Sequence, residues 1–425
     1  MIAPIWRFAA ERPGYEHDQR STAADVVPAC GGPPAHESAR VPEARRDRGG
    51  AIIVAAGAGT AWRAVDQGVF ATGEGAAYQA WADWDARGGG PLLPLVRAAA
   101  LAANAHNTQP WLFALGTNRV DLFADPSRTI GAMDPLLREF YLSLGCALEN
   151  LTLAARANGL DPIVTVFPTP GEAMHVARID LAPGAVVVSP LYAAIPHRHT
   201  NRGAYDPARA VAADTLGDLT GLNTDPALTL VWLTTAADMG RFADLTLQAT
   251  GAIIADPEQA RDDFAWWRGD WRAIQEHKDG ITLDPSGLSD FIRAMGKILP
   301  AQALPAYDTS WAAGMRDRQV NTAAAFGLLI ARDGGDNAQR LAAGRLWQRL
   351  HLAATTQGLA VQPLCQIPER IDRERATGID PAFTRAFAGV LPATGSQAVM
   401  AFRVGYPMMS AQLSPRCPAE EVLRG

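Results

Sequence analysis

The chain has 425 residues, of which 48% are hydrophobic and 19% are charged, and this balance excludes a disordered or low-complexity protein. Its 38 basic and 44 acidic residues give a net charge of −6, so we expect no nucleic-acid partner. The 4 cysteines lie far apart, and no H-E-x-x-H motif accompanies the 8 histidines. We therefore expect neither a disulfide framework nor a metal site.

Residues 1–90 have the composition of targeting and linker segments. Residues 1–44 are rich in Pro, Ala, Gly and charge, and we expect them to be disordered. Residues 45–66 join paired arginines to an apolar run too short to span a bilayer, which is typical of a twin-arginine export signal or a membrane anchor. This pattern favours a protein that is exported to the periplasm or anchored in the membrane facing it. The alternative for the segment is a short buried helix, and the alternative for the protein is a cytoplasmic location. Residues 67–90 are predicted to be a linker.

The folded part is predicted to begin at residue 91 with a helix over residues 91–103. A β-hairpin follows, with strands at residues 111–115 and 119–124 around a Gly-Thr-Asn turn. Between helix and hairpin lies the run His106-Asn107-Thr108-Gln109-Pro110-Trp111, whose amides and hydroxyl both donate and accept hydrogen bonds. Such groups suit a planar heterocycle with imide edges. The alternative is a loop whose polar groups cap the helix end.

An internal repeat is predicted from two helix ends. Residues 150–160 can be laid over residues 349–359, because their leucines, alanines and final Gly-Leu pair coincide. In each case the glycine sits just past the helix, where a left-handed residue is favoured, and a short apolar stretch follows at residues 163–167 or 360–361. The match predicts a duplication with halves at residues 91–190 and 191–425.

The second half begins with the basic segment Arg198-His199-Thr200-Asn201-Arg202. Two arginines four residues apart, with a hydroxyl between them, suit phosphate oxygens; a solvated basic turn is the alternative. Strands are predicted at residues 228–233, 326–331 and 399–404, and helices at residues 236–255 and 337–357. No G-x-G-x-x-G motif follows a strand, so a Rossmann unit is not supported, and the fold class is α+β.

Two further stretches of the second half stand out. The Trp-rich residues 264–311 are predicted to form an insertion, either as a helical lid over a site or as an extra surface helix pair. Near the C-terminus, Ser414-Pro415-Arg416 adds a hydroxyl and another guanidinium after a strand.

Together these segments resemble the FMN-dependent nitroreductase superfamily, and their layout resembles its fused-repeat, Acg-like FMN-binding group. The segment at residues 104–111 is similar to the family's run beside the isoalloxazine ring of FMN. This similarity implies contacts to the ring from Asn104, His106, Asn107, Thr108 and Gln109. The basic segment is similar to the one that holds the FMN phosphate and ribityl chain, which implies contacts from Arg198, His199, Thr200, Asn201 and Arg202.

The resemblance extends to the end of the chain. Ser414 and Arg416 are similar to a further phosphate contact, although Cys417 stands where the family commonly has a second basic residue. Gln362 and Pro363, just after the second repeated helix, are expected near the reactive edge of the ring.

The resemblance implies a nitroreductase-like α+β fold in which two halves form a pseudo-dimer within one chain, as a monomer or a homodimer. It implies an FMN oxidoreductase that passes hydride or electrons, with NAD(P)H as donor, to small nitroaromatic or quinone-like acceptors. An FMN-sequestering flavoprotein with little turnover is the alternative. No protein acid–base group is required for such chemistry, and we name no catalytic residue.

Overall fold

Two four-stranded antiparallel sheets organise the fold, in a computed structural model that describes residues 59–86, 88–391 and 397–424. The first sheet contains β1 (Trp111–Leu115), β2 (Arg119–Ala124), β3 (Leu160–Val166) and β4 (His175–Pro183). The second contains β5 (Leu228–Leu233), β6 (Ala325–Ala331), β7 (Ala360–Pro363) and β8 (Gln397–Gly405). The strand orders are β1-β2-β4-β3 and β5-β6-β8-β7, so the two sheets share one topology.

Helices of seven or more residues surround the sheets. In chain order they are α1 (Leu93–Ala100), α2 (Arg138–Ala157), α3 (Ala213–Thr220), α4 (Ala236–Ala255), α5 (Pro257–Phe264), α6 (Trp271–His277), α7 (Asp290–Ile298), α8 (Leu304–Gly314), α9 (Asn337–Thr356), α10 (Gln366–Thr377) and α11 (Ala382–Ala388). Single helical turns lie at Gln79–Ala82 and Pro190–Ala193, and residues 59–66 are also helical.

The predicted duplication is confirmed by three equivalences between the halves. Helix α2 connects β2 to β3 as α9 connects β6 to β7, and both helices have 20 residues. Each helix is followed by a glycine at positive φ, Gly159 at 74° and Gly358 at 68°. The ladder shifts register at Leu122/Phe123 in one sheet and at Leu329/Ile330 in the other.

The halves meet where α2 crosses α9. The crossing is close because each helix has a glycine there: a Cβ on Gly145 would lie 2.1 Å from the Leu341 carbonyl oxygen, and one on Gly344 would lie 2.0 Å from that of Leu142. Cys146 Sγ donates to the Gly344 carbonyl across the same contact, at 3.3 Å. The pseudo-dimer interface is therefore a backbone-to-backbone helix contact at the centre of the molecule.

The second half differs from the first by a helical insertion. The turn at residues 116–118 joins β1 to β2, whereas residues 234–324, including α4 to α8, join β5 to β6. The insertion is thus longer than the predicted residues 264–311. The strand β4 is likewise an element that we did not predict.

Two terminal stretches pack back onto the first half. After β8 the tail returns to β1, where Phe113 pairs with Leu423 and the Arg424 amide donates to the Phe113 carbonyl at 2.7 Å. The prediction of a linker over residues 67–90 is wrong for its middle, because Tyr78 and Trp81 are buried in the main core.

The predicted extension at residues 1–44 and most of the predicted signal at residues 45–66 lie outside the described residues. Within the described part of the chain, no helix is both long enough and apolar enough to cross a membrane.

Candidate functional site

The three segments singled out in the sequence converge on the end of α1. Arg198 Nη2 donates to the Leu101 carbonyl at 3.1 Å, and Arg416 Nη2 donates to the neighbouring Ala102 carbonyl at 3.2 Å. Asn107 Nδ2 donates to the Pro415 carbonyl at 2.8 Å, which ties the first segment to the tail. Residues far apart in sequence therefore form one polar cluster between the halves.

Arg198 and Arg416 are buried cations, with relative exposures of 2% and 4%, and neither forms an ion pair with a carboxylate among the described residues. The Nε atom of each has no hydrogen-bond partner. Burial lowers the pKa of Arg198 to about 10, and burial together with the Arg198 charge lowers the pKa of Arg416 to about 9. Two buried guanidiniums without counter-charge are the electrostatic requirement for binding a phosphate dianion.

Two neutral histidines complete this cationic end. Burial, then the charges of Arg198 and Arg416, lower the pKa of His199 to about 3, and burial and Arg198 lower the pKa of His351 well below its usual value. Arg198 Nη1 lies 3.3 Å from His351 Nδ1, so that nitrogen accepts. The His199 ring packs edge-on against Trp81 at 4.7 Å between centroids. The cluster offers hydrogen-bond donors and no anion.

The loop after α1 has a strained backbone. His106, Asn107 and Gln109 all have positive φ, at 48°, 58° and 55°, a region that side chains other than glycine rarely adopt. The loop is locked by its own amides: Asn104 Oδ1 accepts from the Gln109 amide at 2.8 Å, and Asn104 Nδ2 donates to the Ala102 carbonyl at 3.1 Å. Strain held in place by hydrogen bonds is typical of a binding loop.

Gln109 acts as a clamp between three segments. Its Oε1 accepts from the Cys417 amide at 2.9 Å and its Nε2 donates to the Lys278 carbonyl at 2.9 Å, with the residue fully buried. Replacing Gln109 by Ala leaves both partners unpaired, so we expect a loss of about 2–4 kcal/mol in the free energy of unfolding, measured by chemical denaturation. Gln248→Ala, at an exposed position of α4, is the control and should cost under about 0.5 kcal/mol. Equal stability for both variants would contradict the clamp.

A cavity of about 280 Å³ adjoins this loop and is walled by both halves and by the insertion. Six predicted site residues line it, namely Asn104, His106, Thr200, Arg202, Gln362 and Pro363. The others lie behind the wall or in the cationic cluster: Asn107, Thr108, Gln109, Arg198, His199, Asn201, Ser414 and Arg416. The structure therefore assembles the predicted segments around one cavity but gives their side chains different positions.

Several predicted contacts serve the protein itself. Asn201 uses both ends of its amide, accepting from the Gly203 amide at 2.9 Å and donating to the Met409 carbonyl at 2.7 Å. Gln362 accepts from Arg403 Nε at 2.8 Å and donates to Gln319 Oε1 at 2.7 Å, so its amide is engaged within the wall. Ser414 offers its carbonyl to the Trp81 indole at 2.8 Å. Their direct contacts to a ligand remain predictions.

The insertion supplies one wall of the cavity. Trp267, Tyr307 and Trp311 line it, whereas Trp271 stacks on Tyr78 with ring centroids 6.4 Å apart. The stretch therefore covers the site, as the lid interpretation requires, and Trp271 also packs against the main core. Burial and the Asp263 carboxylate raise the pKa of the Tyr307 phenol well above its usual value, which keeps it neutral.

Sequence reasoning missed an acidic side of the cavity formed by Glu139, Asp263 and Glu369. His106 Nε2 lies 2.6 Å from Asp263 Oδ1. Burial opposes a charge on His106, but the hydrogen bond and charge of Asp263 outweigh it and raise the pKa of the imidazole. These carboxylates come from three helices and share no motif, so no local signal in the sequence pointed to them.

Several buried polar atoms around the cavity have no hydrogen-bond partner and are available to a polar ligand. They include Arg318 Nε, Asp263 Oδ2, Trp267 Nε1, Thr282 Oγ1, Ser286 Oγ, Gln366 Oε1 and Glu369 Oε2. Among the described residues, no group of three or more metal-ligating side chains is assembled.

Two proteins of Mycobacterium tuberculosis are similar to this chain in sequence. The chain is 28% identical over 331 residues to the Mycobacterium tuberculosis protein named "Putative NAD(P)H nitroreductase Rv3131", covering 76% of this chain and 87% of that one. It is 36% identical over 92 residues to the "Putative NAD(P)H nitroreductase acg" of the same species, and this match covers 22% of this chain and 28% of that one. The chain is therefore similar in sequence to proteins that are named as nitroreductases. No family model matches it.

Solved structures of nitroreductases are also found. The FMN-dependent nitroreductase NfnB of Mycobacterium smegmatis, in complex with NADPH, is 19% identical with a TM-score of 0.36, covering 56% of this chain and 97% of that one. A nitroreductase with bound FMN from Bacteroides fragilis is 13% identical with a TM-score of 0.30, covering 54% and 94%.

Proposed function

We propose that this chain is an FMN-dependent oxidoreductase of the nitroreductase type that passes electrons from NAD(P)H to a small nitroaromatic or quinone-like acceptor. The observation that carries the proposal is the buried, carboxylate-free pair Arg198 and Arg416 beside a cavity walled by both halves. The names of the M. tuberculosis relatives support the nicotinamide donor.

The residues present fit a flavin mononucleotide. Arg198 and Arg416 would hold the phosphate, and Thr200 and Arg202, which line the cavity, would contact the adjoining part of the cofactor. Bound there, FMN supplies two-electron transfer chemistry that side chains lack. The strained loop with Asn104 fixes one wall, and Trp267 and Trp311 of the insertion exclude water from the other.

The test is the purified protein itself. We expect a yellow preparation whose released chromophore is FMN and which accelerates NAD(P)H oxidation by a naphthoquinone or a nitrofuran. A colourless protein that does not take up added FMN would overturn the proposal. Tight FMN with no accelerated oxidation by either acceptor would instead support the FMN-sequestering alternative.

A further inference from the structure

Glu369 is a buried carboxyl group that lines the cavity and lies within hydrogen-bonding reach of the Glu139 side chain. It lies on α10 and has 5% relative exposure, and its Oε2 atom has no hydrogen-bond partner. Gln366, one turn earlier, lines the same wall with an unpartnered Oε1. Two unpartnered groups on one helix face mark a place where a ligand makes hydrogen bonds.

The surrounding charges leave no cation for Glu369. The groups that face it are Glu139 and Arg138 from α2, Asp263 from α5, and Cys365 just ahead of α10. Arg138 forms ion pairs with two carboxylates: its Nη2 lies 3.1 Å from Glu139 Oε1 and its Nε lies 2.7 Å from Asp372 Oδ2.

Asp263 is paired with His106, whose Nε2 lies 2.6 Å from Asp263 Oδ1. Arg138 and His106 are thus already engaged by other carboxylates, and among the described residues no cation pairs with Glu369. Burial and the Glu139 charge accordingly raise the pKa of Glu369 well above its usual range.

We propose that Glu369 is the catalytic acid that delivers a proton to an oxygen of the electron acceptor bound in this cavity. This inference rests on the proposed function, which supplies the reductant, a dihydroflavin. The dihydroflavin anion gives up a hydride, which carries both electrons, and becomes oxidised flavin. Glu369 gives up its proton: the O–H bond of Glu369 breaks, an O–H bond forms on an acceptor oxygen, and Glu369 becomes a carboxylate. A quinone that gains this hydride and proton becomes the hydroquinone, and a nitro compound becomes the nitroso compound with loss of water. Water returns the proton after the product leaves.

The proposed proton transfer predicts that the loss of Glu369 slows the reduction of some acceptors and not of others. A quinone must be protonated when it is reduced, whereas ferricyanide takes one electron and no proton. We expect Glu369→Gln to slow quinone reduction by about 100-fold or more while leaving FMN content and ferricyanide reduction unchanged. Because the acid must be protonated, quinone turnover by the unaltered protein falls as pH rises through the raised pKa of Glu369, and the variant loses this dependence.

A readout without turnover tests the proton itself. Infrared spectra of the protein, recorded above the pKa of about 6 to which burial raises Asp134, should show a protonated-carboxyl C=O stretch. The band should vanish in Glu369→Gln and persist in Glu149→Gln. Glu149 is the matched control because it is also a buried carboxylate, but its Oε2 pairs with Arg345 Nε at 2.8 Å and Arg349 Nη1 at 3.0 Å. Glu369→Asp, which keeps the acid, should recover part of the quinone rate.

Two results would overturn the inference: a band that persists in Glu369→Gln, or equal loss of quinone and ferricyanide reduction in that variant. Absence of FMN from the unaltered protein would overturn the proposed function instead, and the infrared test would still decide whether Glu369 holds a proton.

Discussion

Replacing Arg198 by Met is expected to weaken FMN binding by about 10- to 100-fold, since each lost charge-assisted hydrogen bond is worth about 1.5–3 kcal/mol. The FMN-free protein should keep its stability within about 1 kcal/mol or gain some, because the change removes a buried charge that no carboxylate balances. Arg416→Met should behave alike. FMN affinity is measured by fluorescence titration and stability by denaturation of the FMN-free form.

Arg403→Met provides the matched control. Arg403 is equally buried, but its guanidinium is fully used: Nε donates to Gln362 at 2.8 Å, and Nη2 donates to the Gly203 carbonyl at 2.6 Å. Its loss should destabilise the FMN-free protein by about 3 kcal/mol or more. If Arg198→Met behaved like Arg403→Met and kept its FMN affinity, the phosphate assignment would be wrong.

Gly145→Ala is expected to cost about 3 kcal/mol in the free energy of unfolding. The added Cβ would meet the Leu341 carbonyl oxygen at 2.1 Å, and helix backbones at a crossing cannot separate without opening the contact between the halves. Gly344→Ala meets the Leu142 carbonyl in the same way and should cost a similar amount. Urea denaturation of both variants measures the effect.

The control for these variants is Gly251→Ala on the exposed side of α4. A Cβ there meets no atom within 4 Å, so alanine should stabilise the helix by about 0.5–1 kcal/mol. A similar small gain in Gly145→Ala would show that the halves do not depend on the close crossing of α2 and α9.

Local patterns predicted the elements that are locally determined. The strands at 111–115, 119–124 and 228–233 and the helix at 236–255 have the predicted bounds, because each has a clear period and a turn or cap beside it. The strand β4 was missed although buried Ala177, Ile179 and Leu181 alternate with outward Arg178 and Asp180, which is the pattern of a half-buried strand. Tertiary pairing with β2 and β3 decides its conformation.

Part of the candidate site was predicted from the sequence and part was not. The polar segments were visible because each is contiguous, and the structure brings them together. Residue type could not separate a ligand contact from an internal one: Asn201 and Gln362 are as polar as Asn104, yet their amides are engaged within the protein. The acidic wall was invisible because Glu139, Asp263 and Glu369 meet only when three helices pack.

The return of the tail to β1 has a consequence for the order of events during synthesis. Arg416, and the Cys417 amide that holds Gln109, are added by the ribosome after every strand and the whole insertion. The proposed phosphate site therefore stays incomplete after the last strand of both sheets has been made. If the proposed site is right, a chain cut before Arg416 should bind FMN weakly even though it contains every strand.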